Sequence, residues 1–302
     1  MKKIYLSCLF LIPFFINAQT EIDAIMMSKN NFCFGAVYQY SGWDEYWEGD
    51  FKRENLNLGT VTTKSLGIMG NYGISDKLNV LFNLPYVKTN ASAGTMEGQE
   101  GIQDLSLTIK YMPLEKTIGK STYSLYALAG FSTPLSNYTA DYLPLSIGLE
   151  SKTASLRLMG DYQRGHFFTT FSGAYVKRSN IFIDRDSYYT TEMHYTNEVD
   201  MPDAISVNAR IGYRSDRLIA EFIIDNWVTQ EGGFDITSNN MPFPSNTMNA
   251  LKYGLGAKYT FKKIPELSLV GGYNYVAEGR NVGQSNSFFG GAFYVINFNK
   301  NK

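Results

Sequence analysis

LGIMGNYGISDKLNVLFNLPY, residues 66–86, is the stretch on which the fold turns. Leu66, Ile68, Gly70 and Tyr72 alternate with Gly67, Met69 and Asn71, and beyond Gly73–Lys77 the alternation resumes through Leu78, Val80, Phe82, Leu84 and Tyr86. A two-residue period places successive side chains on opposite faces of a strand, so the stretch is a hairpin. Asn79 and Asn83 share the second face of the second arm. One face therefore wants an apolar medium while the other tolerates water. Each arm spans about ten residues, the length of a tilted membrane-crossing strand rather than the usual five or six of a globular sheet. A long hairpin of a soluble β-sandwich has the same local pattern, so the choice falls to the rest of the chain.

The start of the chain, MKKIYLSCLFLIPFFINA, has a basic Lys2-Lys3 pair, an apolar run from Ile4 to Ile16 and a small residue, Ala18, before Gln19. These features predict an export signal over residues 1–18. Cys8 lies too early in the apolar run to act as a lipid acceptor. No later run supplies the roughly 18 apolar residues of a spanning helix. Without the signal the formal charge moves from −1 to −3, and no basic excess points to nucleic acid. Cys33 is then the only cysteine, so no internal disulfide forms. Aromatic residues make up 15% of the chain and include 22 tyrosines, which suits a β-protein with aromatic belts at two interfaces. The mean hydropathy of −0.20 is compatible with a membrane barrel, which shows only alternate residues to lipid.

Residues 19–31 lack a strand period and read as a periplasmic lead-in, with Ile22, Ala24, Ile25, Met26 and Met27 able to cover or enter a lumen. From residue 32 to 302 about twelve alternating arms follow one another, with no linker and no shift in composition. Long polar connections (SGWDEYWEGDFKREN, Thr89–Glu100, Asp184–Asp203, Thr229–Asn249) alternate with tight turns at Gly73–Lys77, Gln163–His166, Ser215-Asp216 and Lys262–Pro265. Outer-membrane barrels sort their connections this way, with short periplasmic turns and long external loops. A sandwich has no reason to do so. The expectation is an all-β fold: a transmembrane, antiparallel, up-and-down barrel of about twelve strands in the bacterial outer membrane, both termini periplasmic. Closure also satisfies every backbone donor in lipid.

Charged residues fall on one parity of these arms. Asp104, Lys110, Arg157, Asp161 and Arg210 occupy the predicted inner face, as do Arg214, Glu221, Asp225, Lys252 and Lys258. Arg or Lys on the lipid face at mid-depth would cost roughly 2–4 kcal/mol each, so the shared parity marks a wet or internally paired lumen. These ten are the candidate solute pathway, open or plugged by ion pairs. The bases outnumber the acids, which in an open lumen would favour anions. Trp43, Tyr46 and Trp47 in the first long loop are candidates for a mouth that meets ligand, or for an interfacial belt. Pro85 cannot donate to a ladder. It either interrupts the third strand, opening a sideways route, or follows a strand that ends at Leu84.

Chemistry is sparsely signalled. His166 lies in a turn and His194 in a loop, in no metal-ligand or triad spacing. An outer-membrane lipid hydrolase would need a His-x-Ser; the nearest match is His194-Tyr195-Thr196. Asp44, Glu45, Glu48 and Asp50 could offer oxygen to calcium, but their spacing is not that of an EF-hand and a solvated acidic loop is the alternative. No catalytic residue, metal or cofactor is assigned. The expected partners are outer-membrane lipid, a small-molecule solute and the barrel assembly machinery, which reads a terminal aromatic; Phe298 suits that role, although four residues follow it.

The pieces NYGISDKLNVLFNLPYV and GIQDLSLTIKY, between Asn71 and Tyr111, resemble outer-membrane transporters of the MetA-pathway (phenol degradation) type in their turn, Leu-Pro-Tyr strand end and Gly-x-x-Asp-Leu strand start. The resemblance implies a channel for passive passage of small aromatic or hydrophobic compounds. Two alternatives stand beside it: a plugged structural or surface-display barrel, and the lipid hydrolase.

Overall fold

The structure is a computed structural model and describes residues 20–237 and 240–298. The predicted signal at residues 1–18 and the tail after Phe298 lie outside the described residues. Twelve long strands make the wall: β1 (Asn31–Trp43), β2 (Val61–Ser75), β3 (Leu78–Ala91), β4 (Asp104–Ile118), β5 (Ser121–Pro134) and β6 (Thr153–Arg164). They continue with β7 (Phe167–Arg178), β8 (Ala204–Arg214), β9 (Leu218–Thr229), β10 (Asn249–Thr260), β11 (Leu267–Arg280) and β12 (Asn286–Asn297). Each pairs antiparallel with its neighbour in the chain, and β1 pairs with both β2 and β12. The sheet therefore closes and leaves no edge.

The period-two pattern sets which side chains meet lipid. Leu156 and Leu158 on β6 stand outward at 72% exposure each, whereas the inward Met159 and its neighbour across the ladder, Ser172, are buried. Leu107, Ile109, Leu125, Phe171 and Leu255 extend this outer apolar band. Rings cluster above and below it. Tyr123 lies tilted against Tyr162 beside the tight turns, with ring centroids 5.1 Å apart, and Tyr273 lies 4.9 Å from Phe288 beside the long loops. An apolar band between two aromatic girdles is the surface of a barrel in the outer membrane.

The long loops build a folded cap on the external end. Ile181–Phe182 pairs with Glu198–Val199, Tyr188–Tyr189 with Met193–His194, and Glu45–Glu48 with Phe51–Glu54. Ile181, Ile183, Tyr188, Val199, Met201 and Phe243, drawn from different loops, form a small core of their own.

Two sequence expectations need correction. β3 does not end at Leu84; it runs through Pro85, which opposes Gly67, to Ala91. The predicted loop Thr89–Glu100 is shorter at both ends, since Thr89–Ala91 belong to β3 and Glu100 opens a short strand, Glu100–Ile102, that pairs with Tyr86–Lys88. The reason is local. Proline has no N–H, so the β3–β4 ladder shifts register there, from Asn83↔Ser106 to Tyr86↔Ile102. The Pro85 carbonyl still accepts a hydrogen bond from the Gln103 N–H at 2.9 Å, so the seam is bridged.

Candidate functional site: a plugged lumen with a residual cavity

Residues 20–29 run up inside the barrel. The chain turns inward at Asn30, whose φ of 59° and N–H bond to the Gly73 carbonyl at 2.8 Å fix the entry angle. Gly73 is glycine because the segment passes against it: a Cβ there would lie 2.2 Å from the Ser28 carbonyl oxygen. Deeper in, the Asn79 side chain accepts from the Met27 N–H at 2.7 Å and donates to the Met27 carbonyl at 2.9 Å, as a neighbouring strand would. Tyr126 donates its hydroxyl to the Ala24 carbonyl at 2.9 Å.

Lys110 is the main anchor. Its side chain is fully buried, and its ammonium faces the carbonyls of Thr20 (3.1 Å), Asp23 (2.6 Å) and Ile25 (2.9 Å) together with the Asp23 carboxylate (3.2 Å). A lysine has three protons to give, and here all are directed at the plug. A buried charge is tolerable only when so paired.

The plug lies against β3–β6, where Ala24 joins Met112, Tyr126, Leu128 and Met159 in a buried cluster. The opposite side of the lumen is not filled by protein. A cavity of about 670 Å3 runs there, bounded by plug residues Thr20, Ile22, Asp23 and Ile25, by β1 and β2, and by β8–β12. Such a volume lies in the range of small-molecule sites. One wall is apolar, with Val37, Met69, Val270, Val276, Phe289 and Phe293; the facing wall carries Asn208, Arg210, Glu221, Asp225 and Lys252. Below the plug a second cavity of about 460 Å3 opens toward the tight turns, past Asp161, Gln163, His166 and Ser215.

The ten charged positions are placed as follows. Arg210, Arg214, Glu221, Asp225, Lys252 and Lys258 line the larger cavity. Arg210 pairs with Glu221 at 2.7 Å, and Arg214 with Asp161 at 2.9 Å while its guanidinium lies 3.9 Å over the Phe168 ring. Asp225 accepts from Asn208 at 3.1 Å. Arg157 donates to Ser172 at 3.0 Å, Lys110 holds the plug, and Asp104, at the external end of β4, accepts from the Tyr138 hydroxyl at 2.7 Å. Glu21 and Asp23 of the plug bring two further carboxylates into the lumen, and these offset the basic excess of the strands. Pro85 on β3 does not bound the larger cavity.

At the mouth, Trp47 is buried over the cavity against Ala250, Val276 and Val282, Trp43 packs beside Leu58, Val61 and Leu145, and Tyr46 lies 6.2 Å from Trp43. The acids of this loop meet bases: Glu45 with Lys52 at 2.6 Å, Glu48 with Arg53 at 2.8 Å, Asp50 with Arg280 at 3.7 Å. Among the described residues no group of three or more His, Cys, Asp or Glu is arranged to hold a metal ion. Arg280 also binds Asp235 at 2.6 and 2.7 Å, and Asn281 ties Asp235, Gly49 and Ile236 together. The Arg280 hydrogen bonds hold the Asp235 carboxyl below its ordinary value of 3.8. His194 stacks on Tyr188 and shares a hydrogen bond with Thr190; the His166 ring lies 4.9 Å from that of Tyr213.

In the sequence Asn79, Tyr126 and Gly73 stand only as inward or turn residues; the hint of an inner partner is the pair of polar residues, Asn79 and Asn83, on an otherwise apolar arm.

Across residues 50–290 the chain matches the family described as "Putative MetA-pathway of phenol degradation". The chain belongs to that family. Among solved structures it is similar to the COG4313 outer membrane channel from Pseudomonas putida F1, at 14% identity and a TM-score of 0.71, over 93% of this chain and 100% of that one. It overlaps less well with the translocator domain of the autotransporter NalP from Neisseria meningitidis, at 12% identity and a TM-score of 0.46, over 88% of each chain. A TodX monoaromatic hydrocarbon channel mutant gives 8% identity and a TM-score of 0.45, over 90% of this chain and 91% of that one. No curated protein matches the sequence.

Proposed function

We propose that this protein is an outer-membrane channel for passive movement of small solutes with an apolar or aromatic body. The observation that carries the reading is the cavity of about 670 Å3 that the plug leaves open, apolar on one wall and hydrogen-bonding on the other. Barrels of about eight strands are filled by side chains, and those of sixteen or more hold a water channel. A twelve-stranded wall lies between these cases, and here a chain segment fills part of the lumen while the remainder is left free of protein. A barrel that served only as a scaffold would have no need of that vacancy.

An apolar wall accepts a ring or short alkyl body by the hydrophobic effect, while the polar wall keeps hydroxyl or carboxyl groups hydrogen-bonded. The family's description, phenol degradation, names a chemistry of this kind, and the similar Pseudomonas putida protein is described as a channel. No residue is assigned a catalytic role in this reading. Purified barrel in a planar bilayer tests it. Discrete openings are expected, more frequent or larger once residues 20–29 are deleted. A barrel that shows heat-modifiable migration, and is therefore folded, yet stays silent in both forms would refute the channel.

A further inference from the structure

The two lumen cavities share only two lining residues, Ile25 of the plug and Arg214 of β8. They abut at that point, one facing the external cap and the other the tight turns. We infer that solute passes around a seated plug through the gap between Ile25 and Arg214, and that this pair sets which solutes pass. The inference rests on the channel reading above and adds the route and its filter.

Three observations support it. The plug is fastened to β3, β4 and β5 by Asn79, Lys110 and Tyr126, all on the side away from the larger cavity. A solute crossing from one cavity to the other therefore need not break any of these bonds. Arg214 is itself held: Asp161 accepts from both terminal nitrogens at 2.9 and 3.1 Å, and Gln163 accepts at 3.2 Å. Its Nε–H, however, is buried without a hydrogen-bond partner. A donor left unpaired inside a protein is costly, and here it lies on a residue that faces both cavities. That nitrogen is shielded, so what a passing oxygen acceptor meets at the junction is the positive charge of the guanidinium, held in place by Asp161 and Gln163. The Ile25 side chain supplies an apolar surface at the same junction, while its backbone is taken up by Lys110 and Asp23. The pair fits a small solute with an apolar body and an oxygen acceptor, such as a carboxylate, phenolate or hydroxyl, and fits a purely hydrocarbon solute less well.

The experiment measures reversal potentials of the full-length barrel in a planar bilayer with benzoate on one side and chloride on the other. Ile25→Ala should raise conductance and the benzoate-to-chloride permeability ratio by several-fold, and Ile25→Trp should lower both. Arg214→Gln keeps a hydrogen-bonding side chain at the junction but removes the guanidinium charge. It should lower the benzoate ratio while chloride conductance persists. In an Ala24→Cys/Met159→Cys protein, with both positions drawn from one buried cluster, an oxidised bridge verified by mass spectrometry locks the plug. Conductance that survives oxidation supports passage around the plug. Conductance that is lost on oxidation and restored by reductant would overturn it, because the plug would then have to leave. Ile25 and Arg214 variants that leave the permeability ratio unchanged would also overturn it. Silence in parent and plug-deleted barrels alike is the separate result that removes the channel itself.

Discussion

Replacing Lys110 with methionine keeps the length of the side chain and removes its charge, and the consequence can be worked from the contacts at its tip. The carbonyls of Thr20, Asp23 and Ile25 lose their donor, and the Asp23 carboxylate loses its cation. Removing one member of a buried, hydrogen-bonded pair costs about 3–5 kcal/mol. At 1.36 kcal/mol per factor of ten, that shifts the seated plug toward release by roughly two to three and a half powers of ten. The loss falls mainly on the plug, because Lys110 takes part in the wall through its backbone, opposite Asn79 and Leu128, and through its charge only at 5.7 Å over the Tyr126 ring. Barrel and plug therefore separate in the assay. Lys110→Met protein should keep heat-modifiable migration, while a protease added to the folded barrel should cut within residues 20–30 far faster than in the parent. Asp23→Asn should release the plug less, and the double variant should recover part of the loss, since it strands no buried charge. A Lys110→Met plug as protected as the parent's would refute the assignment of Lys110 as its anchor.

Three further outcomes follow from the same structure. Gly73→Val places a Cβ 2.2 Å from the Ser28 carbonyl and 2.7 Å from that of Met27, both backbone, so the plug should be displaced from a wall that still forms; protection of residues 20–30 from protease reads this directly. Leu158→Arg, on the outer band at 72% exposure, should destabilise the folded barrel in lipid by roughly 2–4 kcal/mol, measured by denaturant titration against Leu158→Ala. The external clamp between Asp235 and Arg280 should respond to acid alone. Because the Asp235 carboxyl is held below 3.8, its contribution is complete above that pH and is lost as pH falls through the lower folded value. Protease cleavage of the 230–248 loop should thus be flat from neutral pH down to about 4 and rise below it. In Arg280→Met it should already be high at neutral pH.

The wall of this protein was written in its sequence. Alternation at Leu66–Tyr86, at Ala204–Arg214 and at Asn249–Thr260 is a local property, because side chains of one strand separate by parity wherever the strand lies. The sorted lengths of the connections then gave the direction of each end, and the charged parity gave the inside. The bridged seam at Pro85 was half legible: the missing N–H announced a disturbance, but that β3 would continue to Ala91 depended on Gly67 of β2 and on Glu100–Ile102 being there to pair with it. What only the tertiary structure decided is what fills the lumen. Lys110 and Asp23 stand 87 residues apart, and Asn79 and Met27 stand 52 apart. In sequence each is simply an inward polar residue or a member of an unpatterned lead-in. Their meeting depends on barrel closure, which carries distant strands around a common axis and leaves a channel wide enough for one extended chain. No residue's own periodicity encodes that juxtaposition, so the plug, the cavity beside it and the junction of the two cavities at Ile25 and Arg214 became visible only in three dimensions.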